Sequence, residues 1–423
     1  MKKAFAALAL LCMLAMAACG SVNNSTSPAP TPTPAPSETP TPEAPAATPP
    51  YTEMLPSDAA IPVGNTVVVF NSSWTDPIGN LSSILLSTPA SPVLARVTTD
   101  GSDAVAKSFG GRIYVVNRLG ADSIQVIDPS NFSVAADYSV GKGSNPQDIA
   151  VVSDEKAYVS RLDSQNDTSD TGDVLVINPL TGAKLGSIDL KPYTDPNGNR
   201  LARAAQMVLV GKQLYVCIQD LPADMSKSAS TNGKVAIIDT ETDGLVDVDL
   251  NAAGTQVIEL TGRDPWGITY SPLTDKLYVA DSGTFVNLAA DTSDKFGGIE
   301  VIDHKTNRSE GIVVDDAALG GGIYEVRIAS AELGFTITSP SLGVAKIASF
   351  NPTTYAVVSK NVYTSPGFYL PDFTIDSQGR LLIAEQEAKG PGVVILNASD
   401  GSKVAGPVNV GAPPVSITFV DVQ

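Results

Sequence analysis

The sequence predicts an all-β fold, a closed β-propeller most simply counted as seven four-stranded blades behind a disordered Pro-rich linker. Three observations carry this. No long amphipathic helical pattern occurs anywhere in residues 61–423. Short β-branched runs separated by Gly, Asp and Pro turns fill that whole stretch. These runs also recur as one self-similar unit with a period of roughly 50 residues, which is the period of propeller blades.

The most regular element is a short strand ending in a Tyr-Val pair: Ile113-Tyr114-Val115-Val116-Asn117, Ala157-Tyr158-Val159, Leu214-Tyr215-Val216 and Leu277-Tyr278-Val279, with Leu381-Leu382-Ile383 a looser copy. A β-branched run closing on Asp or Asn follows after a variable gap, as in Ile124–Asp128, Val174–Asn178, Val235–Asp239, Ile299–Asp303 and Val393–Asn397. A turn then leads to a more polar strand such as Leu185–Leu190, and another short strand precedes each Tyr-Val element. We label the four A to D, outward from the axis. The Tyr-Val strand, the Val-Ile-Asp strand and the proline opening the next unit resemble the YVTN-repeat family of bacterial propellers across most of residues 63–423. That resemblance implies the fold more than an activity.

The ends predict how the ring closes. Pro414–Val420 reads as an A strand with no successor, and Thr66–Phe70 as a B strand with no predecessor. Pairing them in one blade removes two open sheet edges. Counting A strands from Asp103 through Asp148, Gln206, Gly267, Glu325, Asp372 and Ser416 gives seven. The degenerate Phe335–Asn351 unit leaves a count of six to eight open, and an immunoglobulin-like or inhibitor-like sandwich is the alternative fold.

Residues 1–18 read as an export leader: Lys2 and Lys3, then the apolar run Ala4–Met16, too short to span a bilayer. It ends in Met16-Ala17-Ala18-Cys19-Gly20, which resembles the lipobox of bacterial lipoproteins and implies acylation of Cys19, with simple cleavage as the alternative. Residues 19–60 form a Pro/Thr/Ala-rich tether that favours polyproline II, and 61–423 form the propeller. At ~3.1 Å per residue, the proline-rich segment reaches at most about 95 Å. Without Lys2 and Lys3, 25 basic residues face 45 acidic ones, a net −20. Such a surface repels nucleic acid and anionic headgroups, so acyl chains rather than charge would hold the protein at a bilayer. The implied location is the cell envelope, at the outer membrane if the host is Gram-negative. Cys217 follows Leu214-Tyr215-Val216 and reads as a buried structural thiol.

Loop lengths place a candidate site. In alternating strands the B-to-C and D-to-A connections share one face, and the long segments 161–172, 219–233, 281–298, 191–203 and 251–264 are all of these two kinds. On that face Asp103, Asp148, Gln206, Glu325 and Asp372 open A strands and should ring the channel mouth. Trp266, Phe368, Tyr369, Arg118, Arg161 and Arg263 lie nearby in sequence. The plainer role for the carboxylates is to accept hydrogen bonds from backbone N–H groups at strand starts. We take Asp103, Asp148, Gln206, Trp266, Glu325, Asp372, Tyr369 and Arg161 as candidate ligand contacts, suited to a cationic or hydroxyl-rich ligand. Asp163, Asp167 and Asp170 sit in an oxygen-rich run resembling a calcium loop, without EF-hand spacing, so Ca²⁺ is a weaker reading than a solvated acidic loop.

No other cofactor is expected. The sole histidine, His304, falls in a C-to-D turn on the short-loop face, away from the long loops. It cannot build the His clusters of haem, copper or zinc sites, nor serve a triad there. Two function classes stand: a binding or scaffold module for an envelope protein, glycan or small molecule, and a carboxylate- or metal-dependent hydrolase such as a lactonase, using Glu325 or Asp372. For the anchor, Cys19→Ser should abolish fatty-acid labelling and move the protein to the soluble fraction. A variant still found with membranes, beside an unlabelled wild type, would refute lipidation.

Overall fold

Strand B of each unit reads as a continuous apolar run rather than an alternation, and the structure supplies the reason. In the computed structural model, which describes residues 65–73, 76–163, 172–195, 200–222, 229–286, 289–290, 295–341, 343–367 and 369–420, strand B is sandwiched between the two neighbouring blades. Arg112–Asn117 is buried at every position after its first, and so are Lys156–Arg161 and Gln213–Ile218. A strand covered on both faces needs apolar side chains on both. Strand D lies outermost, and Val134–Ser139 and Lys184–Asp189 are largely exposed. Residues 1–64, which hold the leader, Cys19, the 19–60 tether and the first residues assigned to the propeller, lie outside the described residues.

Seven antiparallel sheets follow, each in the order A-B-C-D. Blade 1 joins Pro414–Val420 to Thr66–Asn71, Asn80–Leu85 and Val93–Thr98. Blade 2 is Ala104–Phe109, Arg112–Asn117, Ser123–Ile127 and Val134–Ser139. Blade 3 is Pro146–Ser153, Lys156–Arg161, Asp173–Ile177 and Lys184–Asp189. Blade 4 is Ala204–Val210, Gln213–Ile218 and Lys234–Asp239, with its outer position divided between Gly244–Leu245 and Ile258–Glu259. Blade 5 is Pro265–Ser271, Lys276–Ser282, Gly297–Asp303 and Arg308–Asp315. Blade 6 is Gly322–Ser330, Leu333–Ser341, Val344–Phe350 and Val357–Thr364, and blade 7 is Phe373–Ile375, Arg380–Glu385, Gly392–Asn397 and Lys403–Val408. The degenerate unit is therefore a full blade. Its B-to-C connection is a tight hairpin, with Ser341 paired to Val344, so no long loop marks it in sequence.

The core is not inside the blades but between them. Seven apolar clusters each combine residues of two adjacent blades, including one that packs blade 7 (Leu382, Ala384, Val393, Ile395) on blade 1 (Val67, Val69, Ile417, Phe419). The Tyr of the repeat belongs to this packing. Tyr114, Tyr158, Tyr215 and Tyr278 are fully buried. Tyr215 donates from its hydroxyl to Asn307 Oδ1 at 3.1 Å in the C-to-D turn of blade 5, and Tyr158 reaches Asp243 in the same turn of blade 4. A buried apolar side chain contributes roughly 1.5–3 kcal/mol and a net hydrogen bond about 1 kcal/mol. Burial therefore dominates, while the hydroxyl sets how one blade sits against the next.

Closure is a strand pair between the two ends of the propeller: Thr66 faces Val420, Val68 faces Thr418 and Phe70 faces Ser416. Deleting residues 414–423 should expose strand B of blade 1 as an edge and strip packing from blades 2 and 7. Aggregation, or a melting temperature well below wild type, is the expected result in thermal scans. A truncated chain melting cooperatively at the wild-type temperature would mean the strap is dispensable.

Candidate functional site

The innermost strands can be aligned by their pairing with strand B. Asp148 faces Ser160, Gly267 faces Ala280, Glu325 faces Ile337 and Ser416 faces Phe70. Val105 faces Val116 in blade 2, a bulge sets Gln206 beside Met207 at this level in blade 4, and the Asp372 carbonyl accepts from Ala384 N at 3.0 Å in blade 7. Asp148, Gln206, Glu325 and Asp372 thus share one level around the axis. Asp103 does not: it precedes the strand, and Val105 holds the ring position in blade 2. Asp103 instead pairs with Arg118, whose Nε donates to Oδ1 at 2.9 Å at the rim.

Part of this ring holds the blades together, as the plainer reading of the carboxylates anticipated. Asp148 Oδ2 accepts from Met207 N of the next blade at 3.0 Å, and Asp372 Oδ2 accepts from Ile417 N at 2.8 Å. Ser416 Oγ does the same for Ala106 N at 3.0 Å. Asp148 is only 1% exposed and also accepts from Ile149 N, so it lies beneath the mouth rather than in it.

Two levels of polar side chains then meet across the axis. Gln206 of blade 4 donates from Nε2 to Glu325 Oε2 of blade 6 at 2.9 Å, spanning blade 5. Blade 5 has Gly267 at this level, where a Cβ would lie 3.3 Å from Glu325 Oε1 and 3.0 Å from Tyr324 O. Sequence reasoning missed Lys107 and Arg327, which sit two residues deeper, opposite Tyr114 and Phe335. The signal was available, because both fall two residues after a ring position once the strands are in register. Lys107 Nζ lies 3.4 Å from Asp148 Oδ1, and Arg327 pairs with Glu325. From the rim down to this deeper level, four carboxylates (Asp103, Asp148, Glu325, Asp372) stand against three cations (Lys107, Arg118, Arg327), so this end of the channel is close to neutral rather than strongly acidic.

Asp372 is the least matched of these. Burial pushes its carboxyl up to about 7, against the opposing pull of Arg327, with Glu325 adding to the rise and Ile417 N–H and Lys107 opposing it. A pair of aromatic rings lies at the same end, and a third aromatic residue belongs to the bulge that opens strand A of blade 5. Tyr324 and Tyr369 stack with centroids 6.2 Å apart at 27°, and Trp266 is half-buried in the residue before Gly267. Tyr369 lies within electrostatic reach of Arg118, Asp103, Asp372 and Glu325.

Other expected contacts have different roles. Arg161 is buried, donating to Asp173 Oδ1 at 2.6 Å, to Asp173 Oδ2 at 2.5 Å and to Val140 O at 3.0 Å, and so ties blade 3 to blade 2. Asp163 pairs with Arg203 at 2.6 Å, while Asp167, Asp170 and Phe368 lie outside the described residues. Among the described residues no cluster of three acidic, Cys or His side chains is arranged to hold a metal. Arg263 lies over the Phe296 ring at 3.4 Å. Cys217 is buried, which pushes its thiol up, as expected of a structural residue. His304 Nε2 is 2.7 Å from Asp275 Oδ1, both in short-face turns of blade 5. The long loops do share the other face: Arg200–Leu201 from a D-to-A connection pairs with Leu221–Pro222 from a B-to-C one.

The fold has many counterparts of known structure. The periplasmic gluconolactonase PpgL of Pseudomonas aeruginosa superposes with a TM-score of 0.57 at 12% identity, over 85% of this chain and 99% of that one. A candidate 6-phosphogluconolactonase from Bacteroides uniformis gives 0.56 at 14% identity, over 84% and 99%. A functionally unknown protein from Desulfotomaculum acetoxidans gives 0.53 at 12% identity, over 85% and 100%. At these identities the likeness establishes the seven-bladed propeller and nothing finer. No family model and no curated protein matches the sequence.

The Asp372 environment has a measurable consequence. A carboxyl whose folded pKa lies above its unfolded value binds the proton more tightly when folded, so it costs stability as pH rises from about 4 towards 7. Asp372→Asn retains an oxygen for Ile417 N–H and removes the titration. Chemical denaturation should show the variant unchanged near pH 4 and more stable than wild type near pH 8. Equal midpoints at both pH values would place Asp372 in an ordinary solvated setting.

Proposed function

We propose that the protein is a cell-envelope binding module, held at a membrane through acylated Cys19, that takes a neutral, hydroxyl-bearing small molecule or glycan end at the long-loop mouth of the propeller. It belongs, on this reading, with the YVTN-repeat propellers whose strand pattern it resembles. The observation that carries the binding reading is the convergence of polar side chains from blades 4, 6 and 7 beside the Tyr324–Tyr369 stack. Pockets that bind small polar ligands combine an apolar or aromatic wall with a few convergent polar groups. The cationic ligand suggested by the acids alone is less well suited, because Lys107, Arg118 and Arg327 already pair with Asp148, Asp103 and Glu325. Sugar hydroxyls can both donate to such carboxylates and accept from such cations, and sugar C–H faces pack on aromatic rings.

A second reading has its own support, in Asp372. A carboxyl balanced near neutrality is suited to take a proton from water, and Arg327 and Lys107 could stabilise negative charge developing on a carbonyl oxygen. Attack of that water on a lactone carbonyl, with cleavage of the ring C–O bond and return of the proton to the ring oxygen, would yield the hydroxy acid. The gluconolactonase and candidate 6-phosphogluconolactonase with the same fold make sugar lactones the first substrates to try.

Calorimetry with glucose, gluconate and gluconolactone distinguishes the two. The binding reading expects a complex weakened about tenfold, or ~1.4 kcal/mol, by Trp266→Ala or Tyr369→Ala, with His304→Ala unchanged. Lactone opening faster than the buffer rate, and lost in Asp372→Asn, would favour hydrolysis. Equal affinity in the two aromatic variants, with loss on altering the 303–308 turn, would put the site on the other face.

A further inference from the structure

Blade 5 concentrates buried carboxyl groups at the root of the long-loop face. Asp264, Asp281, Glu300 and Asp316 are all under 9% exposed, with Asp281 and Glu300 at 0%. They are not equivalent. Glu300 is provided with donors: both oxygens accept from Thr261 N at 2.9 Å, Oε2 accepts from Gly262 N at 2.8 Å, and the Ser309 hydroxyl donates to Oε1. Asp281 receives no N–H or O–H among the described residues. Glu300 lies opposite Val279 across the B–C pair, so it shares a sheet face with Asp281 two residues further on, and the Asp281 Cγ lies where a Cβ on Gly262, whose N–H donates to Glu300, would come within 2.2 Å.

Neighbouring carboxylates out of water resist being ionised together, and the one held by three donors, Thr261 N–H, Gly262 N–H and the Ser309 hydroxyl, keeps the charge. We propose that Asp281 is held as the neutral acid, donates its proton to Glu300, and by that shared proton latches the 260–264 segment that leads into Trp266. The inference about the proton is independent of any ligand; its effect on binding rests on the mouth being the binding site. Burial, followed by the charges of Glu300 and Asp264, pushes the Asp281 carboxyl well up, in agreement with the geometry.

The latch has a defined mechanical path. Glu300 on strand C holds Thr261 and Gly262, while the end of strand B holds the next residues through Gly283 N to Arg263 O at 3.0 Å and Ser282 N to Asp264 O at 3.1 Å. Strand A begins at Pro265, and Trp266 and Gly267 follow at the mouth. Loss of the Asp281 proton to solvent would set two buried anions against each other beneath Gly262. The remaining charged groups around the pair are Asp264, with Arg203 in reach of it, Arg263 beside Gly262, and Asp316 against Gly297. Cys217 also lies within electrostatic reach of Asp281, Asp148 and Glu325. Protonation therefore favours the closed latch, and rising pH loosens it.

Infrared spectroscopy reads the proton directly. Near pH 9, where Asp264 and Asp372 with folded values of about 7 are ionised, the full-length wild type should still show a protonated-carboxyl C=O band, and Asp281→Asn should lack it. No such band in the wild type, or a band unchanged in the variant, overturns the proposal; the wild-type measurement decides alone if the variant does not fold. Hydrogen exchange tests the latch. Between about pH 7 and 10, the Thr261 and Gly262 amides of wild type should gain at least ~tenfold over the intrinsic base-catalysed rise, and those of Asp281→Asn should not. Matching profiles would sink the latch. With glucose as probe above about pH 9, where Asp372 is already ionised, affinity should fall with pH in wild type and not in Asp281→Asn. Should no probe bind at any pH while the band is present, the binding reading fails and the proton assignment stands.

Discussion

Everything at the axis depends on the pairing of Thr66–Asn71 with Pro414–Val420. Each blade buries its apolar residues only against its neighbours, so an open ring would leave two blade faces wet and one strand edge unpaired. The pair joins segments more than 340 residues apart, and such non-local contacts cost loop-closure entropy before they contribute stability. The sequence answers with seven interfaces of β-branched and aromatic residues, so that closure completes packing on two blades at once.

The same strand governs the mouth. Ser416 caps Ala106 of blade 2, and Asp372 of blade 7 caps Ile417. The carboxylates at the axis thus serve first as acceptors that join one innermost strand to the next, and the groups left over face the channel. That order of roles holds for Asp148 and Asp372 alike, each spending one carboxylate oxygen on a backbone N–H of the next blade. It also explains the basic residues: Lys107 and Arg327 lie one pleat deeper, where they offset charge that the backbone bonds leave over.

Blade 5 departs from this pattern in a way that bears on the site. Three glycines, Gly262, Gly267 and Gly297, stand where a Cβ would meet Asp281, Glu325 and Asp316. Carboxyl groups occupy the space that side chains at those three positions would otherwise fill. Of these, Asp281 has no donor among the described residues; a buried carboxyl in that position costs several kcal/mol as an anion, and the proposed shared proton relieves that cost.

Much of the fold was legible in the chain because its signals are local and repeated. The Tyr-Val strand, the Asp-terminated strand and the turns between them recur often enough to fix strand order, and the unmatched strands at the two ends predict closure. Blade 6 was obscure because Phe335 replaces the tyrosine and a tight hairpin replaces a long loop; only its packing between blades 5 and 7 identifies it. Of the candidate site, the level holding Asp148, Gln206, Glu325 and Asp372 could be read from strand starts. Asp103 was placed too deep, because the bulges and lead-in residues that shift register leave no mark in composition. Arg161 looked available and is engaged, Lys107 and Arg327 were overlooked, and the Asp281–Glu300 contact had no sequence signal. Which charges meet depends on side chains brought across the axis from blades far apart in the chain, and that is decided by the closed ring.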